Sequence, residues 1–177
     1  MYRLHRFVLT HRIPDGKRMC EKSPSNIRYF DKINEYYHGE VKLIQIVRDG
    51  RDVVLSRHPK NPSQGWVKPE RWIMDIRYGL KFRDLPNVDT IKYEDLVLHY
   101  EVEIRQLCAF LELPVREELL DWHSNSRIRK ADSLHGAISK LSESSIGKWK
   151  PYAAQAGAVK EMLDREEAQN LLSMLGY

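Results

Sequence analysis

Val41-Lys42-Leu43-Ile44-Gln45-Ile46-Val47, followed directly by Arg48-Asp49-Gly50-Arg51-Asp52-Val53-Val54-Leu55-Ser56, is the stretch that decides the fold class. Val41, Leu43, Ile44, Ile46 and Val47 form an almost unbroken apolar run, the pattern of a parallel strand covered on both faces. The run breaks into the polar cluster 48–52, and Val53, Val54 and Leu55 then restore apolar content. The cluster therefore sits where a strand hands over to a helix. Such a junction is an anion site by construction. Helix-start N–H groups point outward, and ligands of open α/β sheets gather beyond the carboxyl ends of the strands.

Working outward, residues 17–20 lead through Glu21-Lys22-Ser23-Pro24-Ser25-Asn26 into Ile27, Phe30, Ile33 and Tyr37 at helical spacing. This reads as strand, loop, helix, with Ser25 or Asn26 as N-cap. Pro59, Pro62, Gly65 and Pro69 make 59–69 an irregular loop, after which Trp72, Ile76 and Leu80 mark a helix. A short β-prone stretch at 88–93 exits into Glu94-Asp95-Leu96. Ile104, Leu107, Cys108 and Leu111 then line one face of a helix that stops before Pro114. From 124 to 145 the sequence is polar and aperiodic, a long loop. Helical spacing returns at Val159, Met162 and Leu163, and again at Leu171, Leu172 and Leu175. Strand and helix alternate, which predicts a three-layer α/β/α domain with a short parallel sheet.

The 177 residues suit a single domain spanning 1–177. No apolar run approaches the roughly 20 residues needed to cross a bilayer, and no secretory signal follows the charged N-terminus, so the expected location is cytoplasmic. Cys20 and Cys108 are too few for a disulfide framework or a four-thiolate zinc site, and the seven histidines lack metal-binding spacing. No metal is expected. The formal net charge of +4 favours anionic partners without choosing among them. Acidic residues are interspersed throughout the chain, which argues against a basic nucleic-acid-binding module.

Three features converge: a basic strand exit at Arg48, an aromatic-acidic strand exit at Tyr93-Glu94-Asp95, and a late basic segment ending at Lys148-Trp149. Parallel strands would bring the two exits to one edge, where an arginine fork, the Ser56 hydroxyl and lysines make a phosphate cradle. Arg48 and Asp52 could alternatively form an i,i+4 surface pair worth about 0.3–0.5 kcal/mol.

The stretch 47–56 resembles the 3′-phosphate motif of sulfotransferases that use 3′-phosphoadenosine 5′-phosphosulfate (PAPS). That resemblance implies a 3′-phosphate contact for Arg48 and Ser56, and Lys60 matches a further basic cofactor contact. Tyr93-Glu94-Asp95-Leu96 is similar to a second family signature, which assigns Tyr93 to the adenine side of the nucleotide. Ser145-Ile146-Gly147-Lys148-Trp149 is similar to a late motif whose lysine, here Lys148, reaches a cofactor phosphate. Ser133 matches the start of a loop closing over the nucleotide. Glu21-Lys22-Ser23-Pro24 resembles the segment whose lysine lies beside the sulfuryl group, implying charge stabilisation by Lys22. Glu21 is the candidate general base or acceptor contact.

The family's Pro-Lys-Ser-Gly-Thr-like loop, which grips the 5′-phosphosulfate, has no counterpart here, and the nearest glycines, Gly147 and Gly157, are ten positions apart. The resemblance therefore implies a P-loop NTPase-like sulfotransferase fold shortened at its N-terminal end. Its cofactor would be PAPS or the product 3′-phosphoadenosine 5′-phosphate (PAP), and its acceptor a hydroxyl or amine, with carbohydrate as one class. A catalytically inactive nucleotide-binding remnant is the alternative. A missing neighbour strand would leave a hydrophobic sheet edge for the segment 4–10 or for a second copy, as a homodimer, to cover.

Overall fold

The computed structural model describes residues 18–58, 61–122, 141–153 and 157–177. The architecture is α/β. Helix α1 (Phe30–Tyr36) follows a 3₁₀ turn at Asn26–Tyr29, and strand β1 (Leu43–Val47) precedes helix α2 (Gly50–Leu55). Strands β2 (Arg57–His58) and β3 (Asn61–Gly65) form a small antiparallel hairpin ahead of helix α3 (Pro69–Leu80). Strand β4 (Val88–Lys92) runs into helices α4 (Tyr93–Leu98), α5 (Tyr100–Phe110) and α6 (Glu117–Leu120). Helices α7 (Gly157–Asp164) and α8 (Glu166–Met174) close the described chain.

β1 and β4 pair in parallel, Leu43 opposite Val88 through Val47 opposite Lys92. Their carboxyl ends are therefore level, and the residues that leave them, Arg48 and Tyr93, emerge side by side. The expected convergence of the two strand exits is thus met. Behind the exits, Val47 packs with Val54, Trp72, Ile76, Val159 and Met162, tying β1 to α2, α3 and α7. Each such fully buried aliphatic side chain contributes about 1.5–3 kcal/mol. At the other end of the strands, Phe30, Leu43 and Val88 form a second cluster. Helix α3 starts with Pro69 in its first turn, where a missing N–H costs nothing, and buries Trp72, Ile73 and Ile76 on one face.

Several local expectations are corrected. Residues 18–20 form no strand. Ser25 does precede the first helical turn, but its side chain makes no capping bond. Strand β1 is not covered on both faces: Leu43, Gln45 and Val47 are buried, whereas Ile46 is 59% exposed. Side chains alternate along a strand, so a continuous apolar run does not itself reveal which face is packed. Among the described breakers of 59–69, Pro62 and Gly65 lie in β3 and Pro69 opens α3, so the stretch is not an irregular loop throughout, and Pro59 lies outside the described residues. Tyr93-Glu94-Asp95-Leu96 is the first turn of α4, not a loop, with Glu94 and Asp95 suitably placed for the helix dipole. The expected cover for the sheet edge, 4–10, lies outside the described residues. No helix among the described residues is long and apolar enough to cross a membrane.

Candidate functional site

Asp49 caps α2, its carboxylate accepting the Arg51 backbone N–H at 2.9 Å, a contact worth about 1 kcal/mol. The same carboxylate takes the Arg51 guanidinium at 2.9 and 2.8 Å through Nε and Nη2. The backbone N–H of Asp49 donates to Glu94 Oε1 at 3.0 Å, and Glu94 Oε2 accepts the Tyr177 hydroxyl at 2.6 Å. Trp72 Nε1 donates to the Arg48 carbonyl at 3.1 Å. The peptide that presents Arg48 is thereby held by α4 through Glu94, by α3 through Trp72 and by the C-terminal Tyr177.

The Arg48 guanidinium lies 4.5 Å from the Tyr93 ring centroid and donates from Nη2 to the Ser145 carbonyl at 2.6 Å. The Tyr93 and Ser145 hydroxyls are 2.9 Å apart. The late segment thus reaches over both strand exits, as its composition suggested. Arg48 has no ion-pair partner among the described residues, and its Nε is buried without a hydrogen bond. An uncompensated guanidinium with a spare donor, backed by an aromatic ring, fits an anion such as a phosphate.

Asp52 does not pair with Arg48. It is 3% exposed and its carboxylate accepts the backbone N–H groups of Gly147 at 2.7 Å and Trp149 at 2.9 Å. The Trp149 ring carries the Arg51 guanidinium 4.0 Å from its centroid and packs against the main core, so the expected packing role of Trp149 is met. Lys148 is exposed between the two anchored amides. Ser56 ends α2, with its hydroxyl donating to the Asp52 carbonyl at 3.3 Å. Glu21 and Lys22 are exposed in the coil before the first 3₁₀ turn. Glu21 accepts the Asn26 side-chain amide, and no contact among the described residues joins either residue to Arg48 or Tyr93. Lys60 and Ser133 lie outside the described residues.

Sequence reasoning missed four supporting side chains: Asp49, Asp52, Glu94 and Tyr177. Asp49 was recoverable, since an aspartate one residue before a helical run is an N-cap signal. The partners of the other three are 45 to 97 residues away and carry no local mark. Burial, the bond to Glu94 and the nearby carboxylates Glu94, Asp49 and Asp95 together raise the Tyr177 pKa well above its ordinary value of 10.0.

Comparisons with known proteins bear on the fold and the family. An uncharacterized protein of Aquifex aeolicus (strain VF5) is 26% identical over 161 residues, covering 82% of this chain and 21% of that protein. The chain thus spans about a fifth of the length of that relative. The sulfotransferase domain from the curacin biosynthetic pathway matches with a TM-score of 0.71 at 21% identity, over 99% of this chain and 67% of that one, a likeness of fold. Residues 2–117, which contain both strand exits, match the model of the sulfotransferase family. The chain belongs to the sulfotransferase family.

Proposed function

We propose that the chain forms the 3′-phosphoadenosine-binding part of a PAPS-dependent sulfotransferase. The observation that carries this reading is Arg48: buried at Nε, stacked on Tyr93, and without a carboxylate partner among the described residues. Arg48 and Ser56 would hold the 3′-phosphate, Tyr93 would meet the adenine side, and Lys148 would reach a phosphate oxygen. Lys60 and Ser133 complete the proposed nucleotide contacts. PAPS, when bound, supplies the sulfuryl group for in-line transfer to a hydroxyl or amine. Lys22 would stabilise the developing charge, and Glu21 would take the acceptor proton. A carbohydrate hydroxyl is one acceptor class to try. The protein would work as a single cytoplasmic domain, with a homodimer as one way to cover the sheet edge.

The test is the shift in melting temperature on adding PAP, with adenosine 5′-phosphate as the control and Arg48→Ala in parallel. At about 100 times Kd, linkage gives roughly 2.7 kcal/mol, on the order of 5–10 °C for a chain of this size. The expected shift needs the 3′-phosphate and disappears in Arg48→Ala. No shift in a folded sample would overturn the reading.

A further inference from the structure

We propose that Asp52 is a positioning residue: it latches the segment 145–149 to α2 and so couples the placement of Lys148 to occupancy of the Arg48 site. The inference rests on the cofactor reading above. Asp52 has no cationic partner among the described residues, because the Arg51 guanidinium engages Asp49 instead. Its buried charge is met by two peptide N–H groups, those of Gly147 and Trp149. Hydrogen bonds to a carboxylate are stronger than neutral ones, and leaving such a group without them is costly.

The two latched amides flank Lys148. Its backbone is therefore placed by Asp52, although the Lys148 side chain is exposed. Three residues upstream, the Ser145 carbonyl and hydroxyl meet Arg48 and Tyr93. The segment is pinned at the front by the groups that would meet the nucleotide and at the rear by Asp52. Gly147 has φ +68° there, a left-handed conformation that residues with a Cβ resist. The Ser56 hydroxyl bonds the carbonyl of the same aspartate, so the end of α2 and the segment share one anchor. A nucleotide that engages Arg48 and Lys148 together would bind best when the latch is closed. Reciprocally, its binding would order the segment.

The experiment combines hydrogen exchange of the ligand-free chain with PAP and adenosine 5′-phosphate titrations of wild type, Asp52→Asn, Lys148→Ala and the double variant. Asp52→Asn should exchange faster in peptides covering 147–149 and bind PAP about 10-fold more weakly. The loss caused by Lys148→Ala, about 5-fold in wild type, should shrink below about 2-fold in the Asp52→Asn background. Gly147→Ala, which strains the turn that carries one of the two latched amides while leaving the Asp52 carboxylate itself in place, should reproduce the loss and keeps the test open should Asp52→Asn fail to fold. Unchanged exchange and PAP affinity in a folded Asp52→Asn would overturn the latch. An undiminished Lys148→Ala effect in that background would overturn the coupling. A wild type that does not distinguish PAP from adenosine 5′-phosphate would instead overturn the cofactor reading, and the coupling would fall with it.

Discussion

Replacing Gly50 by alanine tests whether the turn after β1 is as closely packed as the geometry requires. Gly50 opens α2 and is buried, and a Cβ placed on it would lie 2.5 Å from Met162 Cε and 2.7 Å from Trp72 Cδ2 and Cε2. The Met162 methyl ends a flexible side chain and can swing aside. The Trp72 ring is 5% exposed and donates to the Arg48 carbonyl at 3.1 Å, so its retreat would loosen the peptide that presents Arg48. Overpacking of this kind costs about 1–3 kcal/mol, and alanine's better helix propensity returns less than about 1 kcal/mol at a first helical position. The net loss of about 1–2 kcal/mol corresponds to a fall of roughly 2–8 °C in melting temperature for a chain of this size. Thermal denaturation followed by circular dichroism measures the fall, and PAP titration of the same sample should show weakened binding. A Gly50→Ala chain that melts at or above the wild-type temperature would refute the reasoning.

Tyr177→Phe removes the hydroxyl that donates to Glu94 and should destabilise the chain by about 1–2 kcal/mol at neutral pH. Because the folded-state pKa of Tyr177 lies above its unfolded value of 10.0, its stabilisation is complete below pH 10 and is lost as the pH rises beyond it. The difference in urea midpoint between wild type and Tyr177→Phe should accordingly narrow above pH 10, and a constant difference would contradict the assignment. Thr90→Val should stabilise the chain by about 1 kcal/mol, since Thr90 Oγ1 is buried without a hydrogen-bond partner. A lower melting temperature for Thr90→Val would show that the hydroxyl is satisfied in solution.

The alternation of apolar and polar stretches was enough to find β1, β4, the helix after β1 and the amphipathic helix α5, although it read the start of α4 as a loop. It also brought Arg48 and Tyr93 to one edge, because strand period, helix period and cap chemistry are written in neighbouring residues. The family motifs in 47–56 and 93–96 lie at these same strand exits. The tertiary structure alone decided that Ile46 is exposed while Gln45 is buried, because the packed face of a strand depends on which elements lie against it. It also decided the partners of the buried carboxylates. Asp52 reads as half of a local pair with Arg48, yet the backbone N–H groups that donate to its carboxylate, those of Gly147 and Trp149, are 95 and 97 residues away. Glu94 likewise joins Asp49 to Tyr177 across the sheet end. Local composition encodes where a chain turns and which side chains leave a strand. The partner of a buried charge is chosen by the three-dimensional closure of the chain, through the penalty on leaving that charge unpaired.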